Sequence, residues 1–314
     1  MAPLSDDEWL ELIDASTALT PKSKASYKKH VRGLVRMCGG GIDKSISRIM
    51  FNYDRSFQHL ARLPPNIQRS HLCAVLCLFK RAEERRIFRR CDPHIHEEHR
   101  KWLEALSRCN NAHRRHLDDN LPSEREVESA ASLHEWQRAH AFMQESEPGT
   151  QAALLIAFQT LALPPLRGSD LSHIRIGYQP TGNYFAVDDD GTGELVIRDH
   201  KTARYYPRLQ RFVPRELVRM VEKSVEAQPR NWLFSTQHGA AFSGTGYLKW
   251  KTMVFSRAFQ GRPVTTNSLR HAYITETLQG GNLSTNQQRS IAESMGHSLG
   301  MQRQYVRLPL RDRF

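Results

Sequence analysis

The sequence predicts a mainly α-helical chain with one small antiparallel sheet, divided into two domains. Three observations lead there. The chain has 314 residues, and single cores stop growing at roughly 250–300. Apolar residues recur at helical spacing through most of it, but alternate with period two only in three short segments between Tyr184 and Val213. A polar stretch, Arg108 to Pro122 (RCNNAHRRHLDDNLP), has little apolar periodicity and reads as a linker. The expected domains are 1–108 and 122–314, joined by 109–121.

The elements follow in order. Asp6-Asp7-Glu8 places acids at a helix N-terminus, ahead of Trp9, Leu10, Leu12 and Ile13. Thr20-Pro21 starts a second helix with Tyr27, Val31, Leu34 and Val35 on one face, ended by Gly39-Gly40-Gly41. A third is expected from Lys44 to Leu63, stopped by Pro64-Pro65. A fourth runs from Asn66 to about Phe88 and ends in KRAEERRIFRR, with six basic residues. Ser123 and Glu126 form a capping box that restarts helix after the linker. Ala152–Ala162 has a buried-helix pattern. Strands are expected at Tyr184–Val187, Glu194–Arg198 and Leu209–Val213. Helices then resume at Arg215–Ala227, Gly246–Phe259, Asn267–Leu278 and Asn286–Met295.

Charge narrows the partner. Lys and Arg number 45 against 33 Asp and Glu, a net charge of +12 and a pI near 9.7. Residues 1–120 carry net +7 and the remainder +5, so both halves are basic. That balance fits a polyanionic partner, most often nucleic acid. Lys22, Lys24, Lys28 and Lys29 on the second helix, and Lys80, Arg81, Arg85 and Arg86 at the end of the fourth, are the candidate phosphate contacts. A solvated, salt-bridged face is the ordinary alternative for such runs. No stretch approaches the ~18 apolar residues of a membrane span. The acidic amphipathic N-terminus does not read as a secretory signal, and five cysteines are too few for a disulfide scaffold. An intracellular location is expected.

Several chemistries are set aside. GxxxxGK[ST], GxGxxG, HExxH and a serine-elbow motif are absent. Cys73, Cys77, Cys91, His94, His96 and His99 offer metal-type side chains, but Cys73 and Cys77 sit among Leu72, Val75, Leu76 and Leu78, which reads as helix packing. No cofactor and no metal are expected.

Four segments of the second half carry chemistry jointly. They are Leu163-Pro-Pro-Leu-Arg167-Gly-Ser-Asp170, His200-Lys201-Thr202 between two strands, Asn267-Ser-Leu-Arg270-His271, and Met295-Gly-His297 followed by Tyr305. Singly, each has an ordinary explanation: a helix cap, a turn lysine, a core histidine, a packed aromatic. In this order, after a basic helical region, they resemble the tyrosine recombinase (phage integrase) superfamily from about Leu121 to Arg307.

The resemblance implies a helical core-binding domain followed by an α+β catalytic domain, closed on duplex DNA, with a synaptic tetramer as the active assembly. It implies Tyr305 as the nucleophile of a covalent 3′-phosphotyrosyl intermediate. A tyrosine, with pKa roughly 10, needs cationic neighbours or a base for this task. Arg167 and Arg270 would fork onto the phosphate oxygens. Lys201 would be general acid to the 5′ oxygen, and His297 would hydrogen-bond the phosphate. No metal is then required, because the arginines supply its electrostatic role.

The sequence departs from the family pattern in two places. Asn267 stands where His or Lys is usual, and an amide is no base near neutral pH; His271, one helical turn on, is a candidate substitute. The interval from His297 to Tyr305 is about one residue short, with Met301-Gln302-Arg303 before the tyrosine. These mark a divergent branch, viral or mobile-element-borne. Two alternatives stay open: a type IB topoisomerase-like nicking and rejoining enzyme, and a weakened DNA-binding or packaging protein of the same fold. Leu308, Leu310 and Phe314 suggest a short version of the helix by which relatives dock on a neighbouring protomer, with a frayed tail the equal alternative.

Overall fold

The computed structural model describes residues 4–38, 45–88, 92–118, 122–281 and 283–306. The Gly39–Gly41 stop, Lys44, Cys91, the linker's last residues and the tail residues Leu308, Leu310 and Phe314 lie outside them. The chain divides into two compact units, Met1–Asp118 and Asp119–Phe314.

The first unit is helical: α1 (Asp6–Asp14), α2 (Pro21–Cys38), α3 (Ile46–Met50), α4 (Tyr53–Leu60), α5 (Pro65–Glu84) and α6 (Pro93–Asp118). Ser5 and Glu8 close a capping box on α1, which buries Trp9, Leu10, Leu12 and Ile13. These side chains join Leu34, Met50, Leu72, Phe79 and Trp102 in one core. Each large apolar side chain there contributes about 1.5–3 kcal/mol on burial.

Three expectations are corrected. The helix expected over Lys44–Leu63 is two helices, because Asn52 accepts a hydrogen bond from the Arg55 backbone N–H and starts a new one. The linker expected at 109–121 is helical through Asp118, as the last turns of α6. Ile95, Trp102, Ala105 and Cys109 line up at helical spacing along α6 and hold it on the core. The fourth expected helix also ends early, at Arg85, after which Arg86 turns the chain with φ 54°.

The second unit contains α7 (Glu124–Glu128), α8 (Leu133–Ser146), α9 (Gln151–Leu161), β1 (Ile174–Ile176), β2 (Asn183–Val187), β3 (Gly193–Ile197), β4 (Leu209–Val213), α10 (Arg215–Ala227), α11 (Gly244–Ala258), α12 (Thr266–Gln279), α13 (Thr285–Ser294) and α14 (Leu299–Arg303). The sheet order is β1-β2-β3-β4. It is mixed rather than wholly antiparallel: β2, β3 and β4 form an antiparallel meander, but β1 pairs parallel to β2. At three residues, β1 is too short to leave an alternation signal. Helix α9 is buried along most of its length and carries the core between sheet and helices, with Leu155, Ile156 and Phe158 packed against Phe185, Leu195 and Phe234.

Candidate active site

Arg167 follows α9 on a loop that turns through a cis Leu163–Pro164 bond. Its backbone N–H donates to Asp170 Oδ2 at 3.3 Å. Its guanidinium donates to Thr202 Oγ1 at 3.0 Å and to the Gly296 carbonyl at 2.8 Å. Thr202 also donates to the Gly296 carbonyl at 2.8 Å. The half-buried arginine thereby ties the β3–β4 turn to the end of α13. Gly296 has φ 68°, and a Cβ there would meet Thr202 Oγ1 at 3.1 Å and Arg167 Nη1 at 3.3 Å, so glycine is required twice over.

Arg270 lies on α12 and is 1% exposed. It donates to the Pro165 carbonyl at 2.8 Å, the Met295 carbonyl at 3.2 Å and His297 Nδ1 at 2.9 Å. A guanidinium only donates, so His297 Nδ1 is an acceptor and its proton sits on Nε2. Burial, then the charges of Arg270 and Arg167, push the His297 pKa down to about 3. The imidazole is therefore a neutral donor at ordinary pH. Its Nε2 and Arg270 Nε are buried donors without a hydrogen-bond partner among the described residues. Paired buried donors beside two guanidiniums suit an oxyanion.

Tyr305 follows α14 and lies over these groups. Its ring centroid is 5.3 Å from Arg270 Cζ, 5.2 Å from the His297 ring and 4.7 Å from the His271 ring. Burial lowers the Arg270 pKa, and the contact with Tyr305 opposes that shift. His271 is 5% exposed; its Nδ1 donates to the Tyr305 carbonyl at 2.7 Å. Its Nε2 lies 3.2 Å from both Glu126 Oε1 and the amide nitrogen of Asn267. Asn267 itself is exposed.

Five of the sequence-derived residues, Arg270, His297, Tyr305, His271 and Asn267, are thus linked by direct contacts, and Arg167 joins them through Gly296. Lys201 is exposed on the β3–β4 turn, beside Thr202. The basic residues of the first unit fall into two groups. Lys22, Lys29, Lys80, Arg85 and Arg86 are exposed. Lys24 donates to the Asp14 carbonyl, Lys28 pairs with Asp14 at 2.8 Å, and Arg81 pairs with Glu84.

Three residues escape sequence reasoning. Lys251 of α11 lies against Gly168, where a Cβ would come within 2.1 Å of Nζ, and donates to Thr266 Oγ1 at 3.4 Å. Burial lowers its pKa, and it adds positive charge beside Arg167. Arg211 is 5% exposed and bonds the carbonyls of Pro164 and Ser294. Its signal was present: in LQRFV it falls between buried Leu209 and Val213, an arginine on the inward face of a strand. Glu126 escaped as a site residue because its capping role explained it. No group of three or more His, Cys, Asp and Glu suited to a metal ion occurs among the described residues.

No protein-family model and no curated protein matches the chain. Solved structures do. Lambda integrase bound to DNA matches with a TM-score of 0.58 at 14% identity, over 99% of both chains. A lambda integrase tetramer bound to a Holliday junction matches with a TM-score of 0.58 at 14% identity, over 97% of this chain and 78% of that one. A lambda integrase dimer bound to a COC′ core site matches with a TM-score of 0.55 at 15% identity, over 96% and 95%. The chain shares the fold of these lambda integrase structures, helical first unit included.

Proposed function

We propose that this protein is a site-specific DNA recombinase or integrase that cuts and rejoins DNA through a covalent 3′-phosphotyrosyl intermediate on Tyr305. One observation carries the reading: a tyrosine ring lies directly over a buried arginine and a neutral histidine, each with an unpaired donor. The likeness of fold to integrase structures holding DNA supports the choice of substrate.

In this reading a DNA phosphate takes the donors of Arg270 Nε and His297 Nε2, with Arg167 and Lys251 adding charge. Tyr305 Oη attacks phosphorus, the P–O5′ bond breaks and the P–O–tyrosine bond forms. Lys201 gives its proton to the departing 5′ oxygen, and the phenolic proton passes to water. The imidazoles are poor bases for that proton, since His297 Nε2 already carries one and both nitrogens of His271 are engaged. Rejoining is the reverse, with an incoming 5′ hydroxyl. Preorganised donors of this kind typically contribute about 3–4 kcal/mol each to lowering the barrier. The exposed basic residues of the first unit bind flanking phosphates, and a tetramer on DNA completes strand exchange.

The test is a pool of randomised duplexes nicked near the cut, which traps the covalent complex because the short fragment diffuses away. A denaturing-stable protein–DNA adduct with the wild type is expected. No adduct from any member of the pool overturns the reading.

A further inference from the structure

His271 carries contacts that the chemistry of phosphate transfer does not use. Its Nδ1–H donates to the main-chain carbonyl of Tyr305 at 2.7 Å. That carbonyl lies just beyond α14, so no helical hydrogen bond claims it. On the other side of the ring, Nε2 lies 3.2 Å from Glu126 Oε1. The second carboxylate oxygen of Glu126 accepts from the Ser123 N–H at 2.8 Å and the Ser123 hydroxyl at 2.9 Å. Glu126 is therefore held by the cap of α7 while it faces the imidazole. The Tyr305 N–H meanwhile donates to the Gln302 carbonyl at 2.9 Å. The nucleophile's backbone is thus gripped at both ends, and the grip on its C-terminal side reaches through α12 to α7.

We propose that His271, oriented by Glu126, is a latch that keeps the Tyr305 segment docked in the phosphate pocket. This rests on the recombinase reading above and assigns His271 a positioning role in place of a base. One turn of α12 then does two jobs. Arg270 supplies charge beneath the phenol ring, and its neighbour His271 fixes the main chain that carries the ring. A single hydrogen bond makes the latch reversible, and misplacing a nucleophile by about an ångström costs roughly a hundredfold in rate.

The two ring nitrogens separate the latch from its rivals. An asparagine amide nitrogen occupies nearly the place of Nδ1, and a glutamine amide nitrogen that of Nε2. Single-turnover adduct formation on the trapped nicked duplex is measured for wild type, His271→Ala, His271→Asn, His271→Gln and Glu126→Gln, with duplex binding recorded beside it. The expected result is unchanged binding and adduct formation slowed roughly tenfold to a hundredfold in His271→Ala. His271→Asn recovers much of the rate, His271→Gln does not, and Glu126→Gln is slowed less than His271→Ala. An unchanged rate in His271→Ala, or equal rates in the Asn and Gln variants, overturns the latch while leaving the recombinase reading standing. A wild type that forms no adduct overturns both.

Discussion

In the proposed reaction, Arg270 concentrates the chemistry in one side chain. Its three acceptors, two carbonyls and His297 Nδ1, fix the guanidinium plane before any substrate arrives. Lysine keeps the charge but loses the fork. Arg270→Lys is expected to slow adduct formation a hundredfold or more while duplex binding falls little, as gel shift and adduct kinetics would record; equal losses in both would make Arg270 a binding residue. It should also lower the melting temperature, because each unpaired buried carbonyl costs about 1–3 kcal/mol. His297 gives a pH prediction. Its pKa of about 3 in the fold lies below the ordinary 6.5. The unfolded chain takes up the proton first as pH falls, so the histidine's contribution to stability is intact above 6.5 and declines from there toward 3. Proton NMR should find no titration of this imidazole near 6.5, whereas a midpoint near 6.5 would mean that the Arg270–His297 contact is not formed in solution.

Elements position these side chains, and the loops between them join the site together. Gly296 turns the chain between α13 and His297 with positive φ, in contact with Arg167 and Thr202. Gly296→Ala is expected to cost about 1–3 kcal/mol of stability by chemical denaturation and to slow adduct formation as Arg167 shifts; a neutral result would show that this junction is not rigid. Much of this level was legible in the sequence. The capping pair Ser123–Glu126 and the alternation in Leu209–Val213 are local signals, and the elements form where those signals lie. Helix α6 was obscured because Asn, His and Arg crowd its last turns, although Trp102, Ala105 and Cys109 keep the helical spacing. Lys251 and Glu126 escaped, whereas the candidates Arg167, Arg270, His271, His297 and Tyr305 were readable from motif order. Their joints were not: His271 reaches Tyr305 across 34 positions and Arg167 reaches Gly296 across 129, and no local pattern encodes such separations.

Across the whole molecule, the net charge of +12 sorts into distinct uses. Arg270 and Arg211 are buried within the second unit. Lys28 and Arg81 are paired with acids. Lys22, Lys29, Lys80, Arg85 and Arg86 remain exposed and available for DNA phosphates. Duplex binding should therefore weaken steeply with salt, and each phosphate-contacting residue replaced by glutamine should reduce the log–log slope by about one. Lys29→Gln is expected to change the slope and Lys28→Gln much less; affinity flat between low and physiological salt would remove DNA as the partner. No helix of the described residues is long and apolar enough to cross a membrane. The most direct test of the whole account is peptide mapping by mass spectrometry of the adduct trapped on nicked DNA. The account predicts a nucleotide joined through its 3′ phosphate to Tyr305, and no adduct from Tyr305→Phe. Attachment at any other residue, or trapping that persists in Tyr305→Phe, would contradict it.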